Sequence, residues 1–190
     1  MKKDIRKKVL TDLKLLSQTP EKKEKQENNI LRQLFSSQMW QEAQTIGTTL
    51  AMEKEFNTKP LIEQALKEVK TVGVPRTFGL GKMDFYFFDF DEELESTSFG
   101  VLEPKNEKKI TKDKIDLLIV PGVAFSPDGF RVGFGGGFYD RYLTDFKGKT
   151  CSLVFKEQTG YSWQPEIHDL PVEKLFMSQE EECLDEPIFK

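Results

Sequence analysis

The sequence predicts an α/β protein, in which a single three-layer α/β/α domain with a mostly parallel central sheet spans residues 1–190. Two observations predict this class. A strand, a helix and a second strand follow one another between residues 45 and 74, and so short a β-α-β unit implies parallel strands joined by a crossover helix. Residues 117–120 (LLIV) form an apolar run that ends at Pro121-Gly122, which is typical of a buried strand.

The N-terminal segment predicts two helices. In residues 3–17 the apolar side chains recur on one helical face, at Ile5, Val9, Leu13 and Leu16. Thr19-Pro20-Glu21 then has the composition of a helix start, with a hydroxyl at the cap, a proline at the first helical position and an acid next.

The middle of the chain predicts the first strands of the sheet. Residues 45–50 form a strand, residues 51–57 a loop, and Thr58 caps the helix that follows. A second strand, 71–74, is stopped by Pro75, and the aromatic residues 84–90 form a third. Residues 99–104 and the lysine-rich residues 105–114 are predicted to be loop.

The second half continues the alternation of strand and helix. The buried strand 117–120 leads through a glycine-rich loop to a helix that runs from Phe138 to about Phe146. Residues 151–155 and 175–177 are the last two predicted strands.

Composition excludes several classes of protein. The formal net charge of −4 argues against a general nucleic-acid binder, which needs a basic field. No apolar run approaches the ~20 residues of a membrane span, and no secretory signal opens the sequence. Cys151 and Cys183 lie far apart and match no metal spacing, so we interpret both as free thiols in a cytoplasmic protein.

A glycine-rich segment follows the buried strand, with four glycines in five positions: Gly133, Gly135, Gly136 and Gly137. A strand, a glycine loop and a helix start together make an arrangement that binds phosphate, because glycine lets the backbone approach an anion closely. The spacing fits neither common nucleotide-binding pattern, so a simple tight loop is an equally weighted alternative. Arg131 and Asp140 favour the phosphate site, since a guanidinium suits phosphate oxygens and a carboxylate can hold Mg²⁺.

With these residues set out, the stretch PGVAFSPDGFRVGFGGGFYDRYL (121–143) resembles the signature of the 5-formyltetrahydrofolate cyclo-ligase family. The resemblance extends along nearly the whole chain. Further motifs fall in the family's order, and they are Lys2 with Arg6, Glu55-Phe56-Asn57-Thr58, Gly73-Val74-Pro75-Arg76, Leu102-Glu103-Pro104, and Gln158 followed by His168-Asp169-Leu170-Pro171.

The resemblance implies a cytoplasmic, monomeric enzyme that converts ATP and 5-formyltetrahydrofolate, or its polyglutamates, to 5,10-methenyltetrahydrofolate, ADP and phosphate with Mg²⁺. It assigns ATP binding to the N-terminal helix and the glycine segment, at Lys2, Lys3, Arg6, Arg131, Val132, Gly133, Phe134, Gly135, Gly136, Gly137, Phe138 and Tyr139. It assigns the folate to Leu50, Glu55, Phe134 and Phe138, catalysis to Arg131 and Tyr139, and the metal to Asp140 and Glu173.

The chain departs from the family pattern at two of these positions. Phe138 stands where the family usually has a first tyrosine, so any assistance from that hydroxyl is missing. Glu173 stands where the family tends to have aspartate, and its carboxylate lies one methylene further from the backbone.

Other interpretations stay open on the residues alone. Lys2 and Arg6 could belong to a solvated helix face, and the only histidine, His168, could make a structural hydrogen bond. Among functions, a sugar-phosphate isomerase or acyl transferase needs phosphate binding without ATP. A nucleotide-binding regulatory module without catalysis is the alternative from another class.

Overall fold

The structure is a computed structural model that describes residues 1–179; Cys183 and the acidic residues near the C-terminus lie outside the described residues. The described part contains five α-helices, namely α1 (Lys2–Ser17), α2 (Pro20–Phe35), α3 (Gln38–Glu42), α4 (Lys59–Lys67) and α5 (Phe138–Leu143). The first two confirm the periodicity of the sequence, whereas α3 was not predicted and α5 ends before the predicted Phe146.

The strands are short. They are β1 (Thr45–Gly47), β2 (Thr71–Phe78), β3 (Lys82–Phe87), β4 (Leu94–Ser96), β5 (Leu102–Pro104), β6 (Lys109–Ile110), β7 (Leu117–Ile119), β8 (Ala124–Phe125), β9 (Arg131–Val132), β10 (Lys149–Val154) and β11 (Lys174–Met177). Seven of these form the central sheet in the order β11-β10-β7-β1-β2-β3-β6. The five strands from β11 to β2 are parallel and the two at the β6 edge are antiparallel, which confirms a mostly parallel sheet.

Helices cover both faces of this sheet. On one face, Ile46 and Leu117 pack in a core with side chains of α1, α2 and α4. On the other face, Leu118 and Phe85 pack in a second core with side chains of α5. Burial on both faces explains why β7 is apolar at every position and not only at alternate ones. The predicted α/β/α layering is therefore confirmed.

The prediction that Pro75 ends the second strand was wrong, because β2 continues to Phe78. The carbonyl of Val72 accepts from Phe88 on the β3 side, and that of Gly73 accepts from Thr48 on the β1 side. Successive residues of a strand point their backbone N–H and C=O groups to opposite neighbours, so those of Pro75 face the β1 side. Because β1 has already ended there, the missing N–H of Pro75 breaks no ladder hydrogen bond.

The predicted loop between residues 99 and 114 was also partly wrong. It contains β5, which pairs with β4, and β6, which pairs with β3 at the sheet edge. The Arg76 guanidinium fixes this region by donating to the Pro104 carbonyl at 2.6 Å while stacking on the Tyr86 ring. The buried Glu103 carboxylate accepts from the backbone N–H of Thr77 at 3.0 Å. Contacts of this kind between distant segments leave no local pattern in the sequence.

Gly129 connects the β8–β9 turn to the segment before β11, because its carbonyl accepts from the N–H of Val172 at 3.0 Å. Its φ is +84°, and a Cβ there would lie 2.4 Å from the Val172 carbonyl oxygen. We expect Gly129→Ala to lower the free energy of unfolding by about 3 kcal/mol, from backbone strain and this clash together. Urea unfolding monitored by circular dichroism measures it.

Gly100→Ala is the matched control. Gly100 has a similar φ of +77°, but an added Cβ would meet nothing within 4 Å. Its substitution should cost only the strain of the left-handed backbone, about 1 kcal/mol. Equal losses in the two variants would show that the contact with Val172 does not limit position 129.

Candidate active site

The glycine segment, defined as residues 133–137, lies beyond the carboxyl end of β7. After β7 the chain forms the small β8–β9 hairpin, and the segment then connects β9 to α5. Gly137 occupies the cap position of α5 with a φ of +66°, a conformation that favours glycine. The arrangement of strand, glycine segment and helix that the sequence predicts is therefore present, although its helix has only six residues.

A cleft of about 730 Å³ opens beside this segment. Nine of the predicted site residues line it, and they are Lys2, Arg6, Arg131, Val132, Gly133, Gly135, Gly136, Gly137 and Asp140. The His168-Asp169-Leu170 motif also lines this cleft. Four lining residues were not singled out from the sequence, namely Arg141, Thr144, Glu166 and Ile167.

The first turns of α1 form one wall of the cleft. Lys2 donates to the Asp169 carboxylate at 2.6 Å and lies 3.1 Å from the Glu166 carboxylate. Arg6 donates through Nε to the carbonyl oxygen of Gly133 at 2.7 Å. Both side chains thus point into the site and do not form a purely solvated face. Lys3 is exposed and is not among the residues that line the cleft.

The ion pairs of Lys2 change the titration of both partners. Burial opposes the charged ammonium, yet the hydrogen bonds to Asp169 and Glu166 raise the pKa of Lys2 above its ordinary value. Burial likewise opposes the charge of Asp169, but the hydrogen bond from Lys2 holds its pKa below the usual range. The positive charge of Lys2 is therefore compensated within the cleft wall by the two carboxylates.

Arg131 lies at the floor of the cleft, with a side chain that is 3% exposed. Its Nη2 donates to Asp140 at 2.8 Å and its Nη1 donates to the carbonyl oxygen of Leu170, also at 2.8 Å. Burial lowers the pKa of the guanidinium, and the nearby Asp140 opposes that shift. Arg131 joins three segments of the site, so much of its hydrogen-bonding capacity is already used within the protein.

The two residues predicted to bind the metal have different surroundings, and only one of them lines the cleft. Asp140 lines the cleft, and its Oδ1 accepts from Arg131 and from the N–H of Leu170 at 3.4 Å. Glu173 does not line the cleft; its carboxylate lies 3.4 Å from the Lys149 ammonium. Between residues 1 and 179, no group of three or more His, Cys, Asp and Glu side chains could hold a metal ion by itself.

This donor set still fits Mg²⁺. That ion is usually held by one or two carboxylates together with substrate phosphates and water, and not by a complete protein cage. Asp140, a carboxylate in a cleft that also carries Arg6 and Arg141, matches that pattern.

A second, narrow cavity of about 50 Å³ lies on the other side of the glycine segment. The loop after β1 and the loop after β7 enclose it, with Glu55 and Phe134 among the lining residues. The hydroxyl of Thr58 holds the β1 loop by donating to the Thr49 carbonyl at 2.6 Å. Leu50, predicted to contact the folate, packs against the first core and does not line this cavity.

Among residues 1–179, Glu55 is the only acidic residue that lines the second cavity. Its Oε2 accepts from the backbone N–H of Met52 at 2.8 Å. Burial raises the pKa of this carboxyl, and the hydrogen bond from Met52 offsets the shift only in part. A half-buried acid with one polar partner is suited to accept hydrogen bonds from N–H groups of a ligand.

Phe138 and Tyr139 pack against the second core behind the glycine segment. The Tyr139 hydroxyl is buried and has no hydrogen-bond partner within the described residues. Burial raises the pKa of this hydroxyl most; the Arg131 charge opposes the shift and the Glu55 carboxylate adds to it. The hydroxyl thus lies in the electric fields of one group from each cavity.

The fold and site define a class: an α/β protein with a cationic, glycine-lined anion cleft adjoining a small acid-bearing cavity. Comparison with known proteins gives the family. The model of the 5-formyltetrahydrofolate cyclo-ligase family matches residues 1–182, and the chain belongs to that family. The resemblance seen in the sequence is therefore confirmed.

Individual relatives agree with this result. A 5-formyltetrahydrofolate cyclo-ligase of Mus musculus is 28% identical over 188 residues, 92% of each chain. A probable 5-formyltetrahydrofolate cyclo-ligase of Schizosaccharomyces pombe is 36% identical over 124 residues, 63% of this chain and 61% of that relative. The NMR structure of Aquifex aeolicus 5,10-methenyltetrahydrofolate synthetase superposes with a TM-score of 0.81 at 28% identity, covering 94% of this chain and 90% of the other.

None of the helices between residues 1 and 179 combines the length and the apolar character that crossing a bilayer requires. In the same part of the chain Cys151 is a buried free thiol, as predicted. Burial raises its pKa, which disfavours the reactive thiolate.

The raised pKa of Glu55 predicts how stability depends on pH. The folded protein holds the Glu55 proton more tightly than the unfolded chain does. Protonated Glu55 therefore stabilises the fold fully below the ordinary pKa of glutamate, and this stabilisation is lost as the pH rises through the raised pKa of the folded state. We therefore expect Glu55→Gln to raise the free energy of unfolding by roughly 1 kcal/mol near pH 7, and to change it little near pH 4. Urea unfolding at the two pH values measures the difference.

Glu53→Gln is the control, since Glu53 is exposed in the same loop and its substitution removes the same charge. It should leave the free energy of unfolding nearly unchanged at both pH values. A Glu55 variant that is equally destabilised at both would instead show that burial of the charge is not the dominant effect.

Proposed function

We propose that this chain catalyses the ATP- and Mg²⁺-dependent conversion of 5-formyltetrahydrofolate to 5,10-methenyltetrahydrofolate, with release of ADP and phosphate. The observation that carries the proposal is the pair of cavities on either side of the glycine segment, in a chain of the cyclo-ligase family. One cavity has the chemistry for a polyphosphate and the other has the chemistry for a pterin.

The larger cleft would take the phosphates of ATP. Within residues 1–179, the backbone N–H groups of Gly135 and Gly136 donate to no protein acceptor, so they are available to an anion. Arg6 lines the cleft and supplies positive charge from α1. Such a site acts by positioning the phosphates and neutralising their charge.

The smaller cavity would take the edge of the pterin part of the folate. Its volume of about 50 Å³ is too small for the whole bicyclic ring, so the loop after β1 and Phe134 would have to move apart to admit it. A carboxylate such as Glu55 can accept hydrogen bonds from the N–H groups of a pterin edge, and its partly desolvated position strengthens them. The Phe134 ring lies at the mouth of this cavity and is 55% exposed, so it is available to pack on an aromatic ligand.

The two cavities share the glycine segment, which would bring the terminal phosphate of ATP next to the formyl group. Transfer breaks the bond between the terminal phosphorus and the ADP oxygen, and forms a bond from that phosphorus to the formyl oxygen. The N10 lone pair then attacks the formyl carbon, the carbon–oxygen bond breaks with loss of phosphate, and N10 gives up its proton. Phosphorylation is required because an unmodified formyl oxygen is a poor leaving group.

Asp140 is the residue that would hold Mg²⁺, and Glu173 would need to turn away from Lys149 to join it. When bound, the ion would neutralise part of the charge on the phosphates. Arg131 would hold Asp140 and the 166–170 wall in place from below. The Tyr139 hydroxyl has no hydrogen-bond partner within the described residues, but it lines neither cavity and would reach a reacting group only if the glycine segment moved. A monomeric state and a cytoplasmic location stay predictions from the sequence.

The reaction can be tested by near-ultraviolet absorbance, because the methenyl product has its own chromophore. We expect absorbance to grow only when protein, 5-formyltetrahydrofolate, ATP and Mg²⁺ are all present. Arg6→Gln should raise the KM for ATP about tenfold, because one charged hydrogen bond to the ATP phosphates is lost. The KM for the folate should be unchanged. Glu55→Gln should show the reverse pattern.

A folded wild-type protein that binds ATP and yields no chromophore would point to the regulatory module. Phosphate binding that does not require a nucleotide would favour the isomerase or acyl transferase. Variants that change both KM values together would argue against two separate cavities.

A further inference from the structure

In the described part of the chain, four cationic side chains line the large cleft, and they differ in how much of their charge is left for a ligand. Lys2 and Arg131 are ion-paired with carboxylates of the protein. Arg6 and Arg141 make hydrogen bonds only to backbone carbonyl oxygens, and neither has an ion pair within the described residues. The uncompensated positive charge of the cleft is therefore concentrated on Arg6 and Arg141.

Arg141 was not singled out from the sequence, because its position on α5 suggests an ordinary surface arginine. Side chains of a helix point back toward its N-terminus, and this one follows that rule. Its Nη1 donates to the carbonyl oxygen of Gly136 at 2.9 Å. The guanidinium thus lies over the glycine segment and not in open solvent.

Two other glycines leave room for this guanidinium. A Cβ added at Gly137 would lie 2.6 Å from Nη1 of Arg141, and a Cβ added at Gly81 would lie 2.2 Å from the same atom. Gly81 belongs to the connection between β2 and β3, which is distant in sequence from the glycine segment. Two separate parts of the chain, the β2–β3 connection and the glycine segment, therefore lie against the Arg141 head group.

We propose that Arg141 is a further phosphate-binding residue, which contacts the polyphosphate of the nucleotide at the outer edge of the glycine segment. The inference rests on the proposed function for the identity of the ligand. A guanidinium has five N–H donors, and the hydrogen bond to Gly136 uses one of them. Arg141 and Arg6 both line the cleft and both donate to carbonyl oxygens of the glycine segment, so the two arginines would contact the phosphate chain from α5 and from α1.

This assignment changes the division of work among the arginines. Arg131 is buried and supports the cleft from below, whereas Arg141 is exposed and its charge is free to attract the anion. Arg131 is thus mainly a positioning residue, and Arg141 is a binding residue.

Calorimetric titration of the full chain with ATP, ADP, AMP and adenosine tests the proposal. We expect Arg141→Gln to weaken ATP binding about tenfold, to weaken AMP binding less, and to leave adenosine binding unchanged, since the lost interaction is with the phosphates. Arg141→Lys should recover part of the loss, because it keeps the charge without the planar donor set. Thermal unfolding of each variant checks that the fold is intact.

Arg32→Gln is the matched control. It removes the same charge from an exposed arginine on α2, away from the cleft, and should leave binding of all four ligands unchanged. Equal ATP affinity in Arg141→Gln and the wild type would overturn the proposal. So would an equal loss for ATP and adenosine, which would indicate a purely structural role.

Failure of the proposed function gives a different result. If the wild type binds ATP but forms no methenyl product, the reaction is wrong, while the dependence of binding on Arg141 still decides the inference. If the wild type binds ATP no better than adenosine, the cleft does not bind the phosphate chain and the inference fails.

Discussion

The buried guanidinium of Arg131 is the contact on which the geometry of the cleft depends. It joins Asp140 at the start of α5 to the Leu170 carbonyl, and both hydrogen bonds are 2.8 Å long. A buried charge is tolerated only when it is paired and hydrogen-bonded, so the Arg131 guanidinium depends on both of these partners. One interaction thus sets the distance between the glycine segment, the helix that follows it and the 166–170 wall.

The fold was predictable where a single element carries its own pattern. Helices α1 and α2 are long and amphipathic, and β7 is a continuous apolar run, so local periodicity was sufficient. The extension of β2 past Pro75 depends on where β1 ends, and the pairing of β5 and β6 depends on partners elsewhere in the chain. No short stretch of the sequence shows where these partner strands begin and end. The same is true of the two-residue strands β8 and β9, which are too short to show a period.

Most of the residues at the site were predictable, but their division of roles was not. Motif order placed Lys2, Arg6 and the glycine segment together, and the structure brings them to one cleft. A sequence motif does not show which of its charged side chains form ion pairs with other residues of the protein. Arg131 was expected to face the phosphates, but its hydrogen bonds are largely used by Asp140 and Leu170. Arg141 gave no signal, because Gly81, against which its head group lies, belongs to a distant part of the sequence.

The wall formed by α1 has a consequence for how the site comes into existence. The contact of Lys2 with Asp169 joins residues 167 positions apart, and that of Arg6 with Gly133 joins residues 127 apart. Closing such long loops is slow and entropically costly, so no early fragment of the chain contains a preformed cleft. A ligand that contacts both α1 and the glycine segment would hold distant parts of the chain together, and its binding free energy would add to the stability of the folded state.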